Sequence, residues 1–275
     1  MRIDAHQHFW RYQPVRHGWI TPEMQVLQRD WLPEHLRPDL SAAGIDATVA
    51  VQADSSEHET HFLLDLARDN PEIAGVVGWV DLTAANIGDR LEYFAGFEKL
   101  KGFRHIAQSE PDDCFLVRDD FLRGIHSLKA HHFTYDILIY PKQLPAAAEL
   151  VRRFPRQRFV IDHLAKPRIK AGEIEPWATL MRKIAENDNV LCKLSGLVTE
   201  ASWTGWCPSD FALYLDVAFD AFGVDRLMFG SDWPVCLLAA SYAQVTQLIA
   251  NYACSDHDKI FGQNAALFYG LTASS

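Results

Sequence analysis

Residues 47–53, Ala47-Thr48-Val49-Ala50-Val51-Gln52-Ala53, form a nearly unbroken apolar run. A run this short and continuous suits a strand buried on both faces, as in a parallel sheet. Helical periodicity follows over residues 57–70, with Phe62, Leu63 and Leu66 on one face, and Pro71 supplies a stop just past its end. Strand, helix and stop together make the repeating unit of a parallel sheet. The unit recurs along the chain. Further apolar runs lie at 2–5, 73–82, 100–106, 134–140, 158–161, 190–194 and 226–229. They alternate with helical stretches at 33–44, 84–96, 118–131, 143–154, 174–187, 209–222 and 238–253. Eight strands alternating with eight helices is the number that closes a (β/α)8 TIM barrel. The sequence therefore predicts an α/β fold, one TIM-barrel domain over residues 1–275. A doubly wound open sheet is the competing arrangement, but no GxGxxG follows the first strand to support it.

Composition agrees with a soluble globular protein. The chain has 275 residues, 48% apolar and 23% charged, ordinary proportions for a soluble domain. Asp and Glu number 36 against 26 Lys and Arg, a net charge of −10. That balance argues against nucleic acid and anionic membranes as partners, since both attract clustered basic residues. Five cysteines, Cys114, Cys192, Cys207, Cys236 and Cys254, are widely spaced with no CxxC, as expected of thiols in a reducing compartment. No signal-peptide pattern opens the chain and no run of about 18 apolar residues occurs. A cytoplasmic protein is the expectation, with oligomeric state left open.

Barrel enzymes build their sites from the C-terminal ends of the strands. Polar residues at those ends therefore carry the functional reading. The first strand ends in Asp4-Ala5-His6-Gln7-His8. Strict alternation predicts Asp4, His6 and His8 on one face, with Ile3 and Ala5 on the other. Two imidazoles at the barrel mouth can ligate one metal ion or donate two hydrogen bonds to one oxygen. The eighth strand ends in Met228-Phe229-Gly230-Ser231-Asp232-Trp233-Pro234. Strands 1 and 8 are neighbours in a closed barrel, so Asp232 is expected beside the two histidines, where it can hold a metal or take a proton from water. The sixth strand brings a third imidazole, His163, with Lys166 in the loop after it. The fourth ends in Arg104-His105, and both side chains can reach a pocket only where the strand ends. The second ends in Gln52 and Asp54. Arg104, Gln52 and Lys166 suit substrate hydroxyls or a carboxylate. Lys193, Ser195 and Tyr140 are weaker candidates. Two long loops follow strands 1 and 7, at 9–32 and 199–208, and carry Trp10, Trp19, Trp31, Trp203 and Trp206. Loops of this length at this end serve as walls or lids.

Five segments, IDAHQHFW (3–10), VQAD (51–54), GFRH (102–105), IDHLAKP (161–167) and MFGSDWPV (228–235), resemble the amidohydrolase superfamily. More narrowly, they resemble the sugar-lactonase branch of the amidohydrolase-2 family. The resemblance implies a TIM-barrel hydrolase that opens sugar-acid lactones such as L-fucono-, L-rhamnono- or galactarolactone in sugar catabolism. It implies Asp232 as the group that activates water, with His6, His8 and His163 around the scissile carbonyl or a metal. Gln52, Arg104, His105 and Lys166 fall among the expected substrate contacts, and Trp10 and Trp233 against the sugar ring. One departure matters. Metal-dependent members add a carboxylated Lys or Glu on strand 4 and a His on strand 5, and this chain has neither, so a two-metal centre is not expected. Two arrangements stay open: no metal, or one zinc ion held by His6, His8, His163 and Asp232. The rival functions are a zinc-dependent decarboxylase of the same family and a sugar-binding barrel without catalysis.

Overall fold

The computed structural model describes residues 1–253 and 256–272, so Cys254 lies outside the described residues. Eight parallel strands run in the order β1 to β8: Ile3–Gln7, Ala47–Val51, Ile73–Gly78, Leu100–His105, Thr134–Ile137, Phe159–Ile161, Val190–Leu194 and Leu227–Phe229. The helices are α1 Pro33–Ala43, α2 Glu57–Asp69, α3 Ile87–Phe94, α4 Asp119–Leu128, α5 Leu144–Arg153, α6 Trp177–Ala185, α7 Leu197–Glu200, α8 Ser209–Phe222, α9 Tyr242–Ala253 and α10 Asn264–Tyr269. The chain end of β8 returns to β1. The Asp232 amide donates to the His6 carbonyl at 2.8 Å and the His8 amide to the Trp233 carbonyl at 2.7 Å. The result is the expected single-domain (β/α)8 barrel.

Two apolar layers hold it together. The inner one joins Ile3, Ala5, Val49, Val51, Val77, Val160 and Met228 to Ala265, Phe268, Tyr269 and Leu271. Helix α10 thus seals the end of the barrel opposite the strand C-termini, an element the periodicity of the sequence did not mark. The outer layer packs the other strand faces against the surrounding helices. Strands β3 and β5 stop earlier than their apolar runs suggest. Val80, Leu82, Leu138 and Ile139 are buried, but in unpaired chain beyond the ladder. Apolarity alone does not distinguish a strand from a buried loop.

Strict alternation fails on β1. Ile3 and Ala5 point into the barrel. Asp4 points outward and accepts from the Tyr242 hydroxyl of α9 at 3.1 Å and the Ser231 amide at 2.9 Å. The pairing of β1 with β2 shifts between Asp4 and Gln7. This bulge inserts one extra residue and reverses the pleat. His6 therefore faces inward directly after Ala5, Gln7 turns out to Thr48, and His8 turns in again. Asp4 is a structural acid and not the third member of the histidine face.

The loop after β1 is closed at its neck by paired amides of Trp10 and Trp31, each at 2.9 Å. Among the described residues no helix is long and apolar enough to cross a membrane, and Cys114, Cys192, Cys207 and Cys236 are free.

Candidate active site

A cavity of about 460 Å³ opens at the C-terminal ends of the strands. Its floor carries His8, Arg104, His163, Lys166 and Asp232. Its outer wall carries Arg16, Trp19, Asp54, His105 and Glu110.

The backbone pays locally to aim these groups. His163, Leu164, Ala165 and Lys166 follow β6 with φ between +51° and +55°, and Asp232 follows β8 at +57°. Left-handed backbone costs L-residues roughly 1–2 kcal/mol each, and such strain gathers at functional sites. Two glycines make room. A Cβ on Gly230 would lie 2.6 Å from the His6 Cβ, and one on Gly196, itself at φ +65°, would lie 2.5 Å from His163 Nδ1.

The convergence is tight. His8 Nε2 is 3.2 Å from His6 Nε2 and 3.3 Å from Asp232 Oδ1. Asp232 Oδ1 is also 3.9 Å from His6 Nε2 and 3.8 Å from His163 Nε2. His8 Nδ1 donates to the Val51 carbonyl at 2.7 Å, because a carbonyl can only accept. In a neutral ring Nε2 then carries a lone pair, which faces a carboxylate oxygen. Two acceptors at this distance call for positive charge between them, either a proton on the ring or a cation. The spacings of 3.2 to 3.9 Å sit near the edge, about 3.3 Å, of a tetrahedron with ligand bonds of about 2.0 Å. His6, His8 and Asp232 therefore could hold one divalent ion. His6, Asp162 and His163 form a second possible donor triplet.

Burial sets the protonation states. It lowers His163 to about 4, against the attraction of Asp232 and Asp162. It holds His6 well below the usual imidazole range, with Asp162 opposing and Lys193 reinforcing. For Asp232 burial acts upward, but the attraction of His163, the hydrogen bond from His8 and the charges of His8 and His6 outweigh it, so the carboxyl sits below its ordinary range. Near neutral pH the site holds an ionised Asp232 beside neutral His6 and His163. Ser195 Oγ lies 2.9 Å from His163 Nδ1 and fixes that ring.

Beneath lies a buried ionic lattice that the sequence showed only in fragments. Lys193 Nζ contacts Asp136 Oδ2 at 2.5 Å, Asp162 Oδ1 at 3.1 Å and His6 Nδ1 at 3.1 Å. Arg104 Nη1 pairs with Asp162 Oδ2 at 3.0 Å and lies 3.3 Å from His6 Nε2. The Tyr269 hydroxyl of α10 donates to Asp136 Oδ2 at 2.8 Å. Two cations and two carboxylates thus anchor His6 from below.

Several expected substrate contacts lie elsewhere. Gln52 is fully buried; its carbonyl and side-chain oxygens accept from Arg104 Nη2, and its amide donates to the Arg104 carbonyl at 3.1 Å. It braces Arg104 and is not on the cavity wall. Trp10 and Trp233 are also core residues. Trp10 donates to the Arg29 carbonyl, and Trp233 packs edge-on against Trp31 and Phe9. Large indoles bury where other rings offer area. Of the loop tryptophans, Trp19 lines the cavity, while Trp203 and Trp206 bond to carbonyls of Thr199 and Ala239. His105 does reach the cavity at the end of β4, stacked on Phe115 and bonded to Glu110 at 2.6 Å. Arg16 and Glu110 were not anticipated, since isolated loop charges carry no spacing signal.

The amidohydrolase family model Amidohydro_2 matches residues 3–271. The chain is 44% identical to an L-fucono-1,5-lactonase of Burkholderia multivorans, over 98% of this chain and 96% of that one. It is 37% identical to an L-fucono-1,5-lactonase of Burkholderia ambifaria, over 100% and 97% of the two chains. A crystal structure of a Burkholderia multivorans amidohydrolase with bound zinc superposes with a TM-score of 0.94 at 44% identity, covering 99% of this chain and 100% of that one.

Proposed function

On the premise that the chain belongs to the amidohydrolase family, we propose that it hydrolyses a sugar-acid lactone, such as L-fucono-1,5-lactone, to the free acid. It is a lactonase. Full-length identity to two such enzymes supports the reaction. The single observation that carries the mechanism is the Asp232 carboxylate ringed by three imidazoles, His8 and His163 on the cavity floor and His6 buried beside them.

Asp232 accepts a proton from water as the water oxygen attacks the lactone carbonyl carbon. The Ser195 hydroxyl donates to His163 Nδ1, which leaves the Nε2 proton of His163 facing the cavity. Donors of this kind stabilise the developing oxyanion, each worth ~2.7–4 kcal/mol. The tetrahedral intermediate collapses with loss of the ring C–O bond. Asp232 returns its proton to the departing ring oxygen, so one water is added overall. His8, His105 and Lys166 receive the sugar hydroxyls, and Arg104, braced by Gln52, holds the floor. If a zinc ion is bound, His6, His8 and Asp232 would hold it and it would supply Lewis-acid polarisation at the carbonyl. We read a small-molecule lactone as the ligand, and a cytoplasmic location in keeping with the free thiols.

The test is a pH-indicator assay over a panel of aldonolactones, with and without chelator. Asp232→Asn should reduce turnover by about 10²–10⁴-fold, the range for general-base help, with the melting temperature little changed. Near-wild-type hydrolysis by that variant overturns the mechanism. Activity that survives complete metal removal assigns the chemistry to the side chains, and activity restored only by added zinc assigns a share to the ion.

A further inference from the structure

We propose that Asp54 is a specificity-determining residue, one that makes the outer cavity reject lactones bearing a second carboxylate. The inference rests on the lactonase reading above and deepens it. Each basic group lining the cavity already faces a carboxylate. Arg16 Nε is 3.6 Å from Asp54 Oδ2, Arg104 Nη1 is 3.0 Å from Asp162 Oδ2, and Lys166 Nζ is 3.9 Å from Glu200 Oε1. His105 is bonded in the same way to Glu110. Against three basic residues on the wall, Arg16, Arg104 and Lys166, stand Asp54, Glu110 and Asp232 on the same wall, with Asp162 and Glu200 just behind. Every basic group on the wall is therefore matched by a carboxylate. A neutral ring with hydroxyls meets donors and acceptors there, whereas a substrate carboxylate finds no unmatched cation and meets the wall carboxylates.

The pair that decides this is at the outer end. Arg16 comes from the long loop after β1 and Asp54 from the end of β2; both line the cavity, and their side chains are more exposed than that of Asp232. Asp54 is held by the Ser56 hydroxyl at 2.7 Å. A substrate carboxylate placed there meets Arg16 and Asp54 together and gains nothing from either charge. Without the Asp54 charge the same position presents one unpaired guanidinium, the preferred side chain for a carboxylate. The site then takes an aldarolactone, whose far end is –COO⁻, in place of an aldonolactone, whose far end is a neutral carbon.

The experiment compares kcat/KM for a neutral aldonolactone and for an aldarolactone with the same ring, in wild type, Asp54→Asn and the double variant Asp54→Asn/Arg16→Gln. Wild type should open the neutral lactone and strongly disfavour the acid one. Asp54→Asn should shift the acid-to-neutral ratio of kcat/KM by about fivefold toward the acid lactone, the scale of one partly exposed charge pair. The double variant should lose that gain, which ties it to Arg16. A ratio unmoved by Asp54→Asn, or a gain that survives removal of Arg16, overturns the role of Asp54 while leaving the lactonase reading intact. Wild type that opens neither lactone overturns the reading and the proposal with it. Wild type that opens both equally overturns the proposal alone.

Discussion

Replacing Lys193 by Met probes the lattice under the site. Lys193 and its partners Asp136 and Asp162 are fully buried. Asp162 keeps Arg104 at 3.0 Å when the ammonium is gone. Among the described residues, Asp136 then keeps the Tyr269 hydroxyl alone as a hydrogen-bond partner. Breaking one side of a buried pair typically costs ~3–5 kcal/mol. The carboxyl can escape part of that by taking up a proton. Burial already raises Asp136, and Lys193 pulls it only part of the way back. Neutralising a carboxyl of ordinary pKa ~3.9 costs roughly 4 kcal/mol at pH 7 and about 1.5 kcal/mol at pH 5, at 1.36 kcal/mol per unit. Wild-type Asp136, already raised, bears part of that cost, so the deficit of Lys193→Met is at most about 4 kcal/mol at pH 7, some 8 °C of Tm at ~2 °C per kcal/mol for a chain of this size. The sign of the pH effect follows. A carboxyl protonated in the native state loses stability as pH rises, so the gap between variant and wild type should narrow at pH 5. Adding Asp136→Asn removes the orphaned charge and should recover most of the loss. Calorimetric melts of the four proteins at pH 5 and 7 measure all of this. Purely additive effects of the two substitutions, or a Lys193→Met deficit that is the same at both pH values, would refute the charge argument and leave only lost packing.

Glu59 gives a second pH test. Burial pushes it up to about 7, with the Ala53 amide opposing. The native state keeps a proton that the unfolded chain releases near 4.5, so this group costs stability as pH rises from 4.5 to 7. Glu59→Gln should therefore raise Tm relative to wild type at pH 8 by the equivalent of about 3 kcal/mol, and hardly at pH 4.5; equal effects at both would sink the assignment. Gly196→Ala places a methyl 2.5 Å from His163 Nδ1 on left-handed backbone. It should lower kcat/KM by about 10²-fold through a displaced ring, with a Tm loss of only a few degrees; unchanged kinetics would show that the His163 position is not critical.

The eightfold strand–helix alternation was legible because burial on both faces of a parallel strand leaves continuous apolar runs, and chain spacing alone reports that. Strand order then brings residues 6, 8, 163 and 232 to one rim, since every parallel strand of a barrel ends on the same side. The sequence by itself therefore determined the barrel, and the candidate cluster of His6, His8, His163 and Asp232. Only the tertiary structure decided how they point. The β1 bulge that sends Ala5 and His6 inward in succession is a property of pairing with β2, not of the five residues. Whether Gln52 and Trp10 line the cavity or the core depends on Arg104 and Trp31, distant in sequence. The pairing of Lys193 with Asp136 and Asp162, and of Arg16 with Asp54, likewise depends on which strands and loops meet. Periodicity is set by bonds along the chain, whereas charge pairing is set by distances across it.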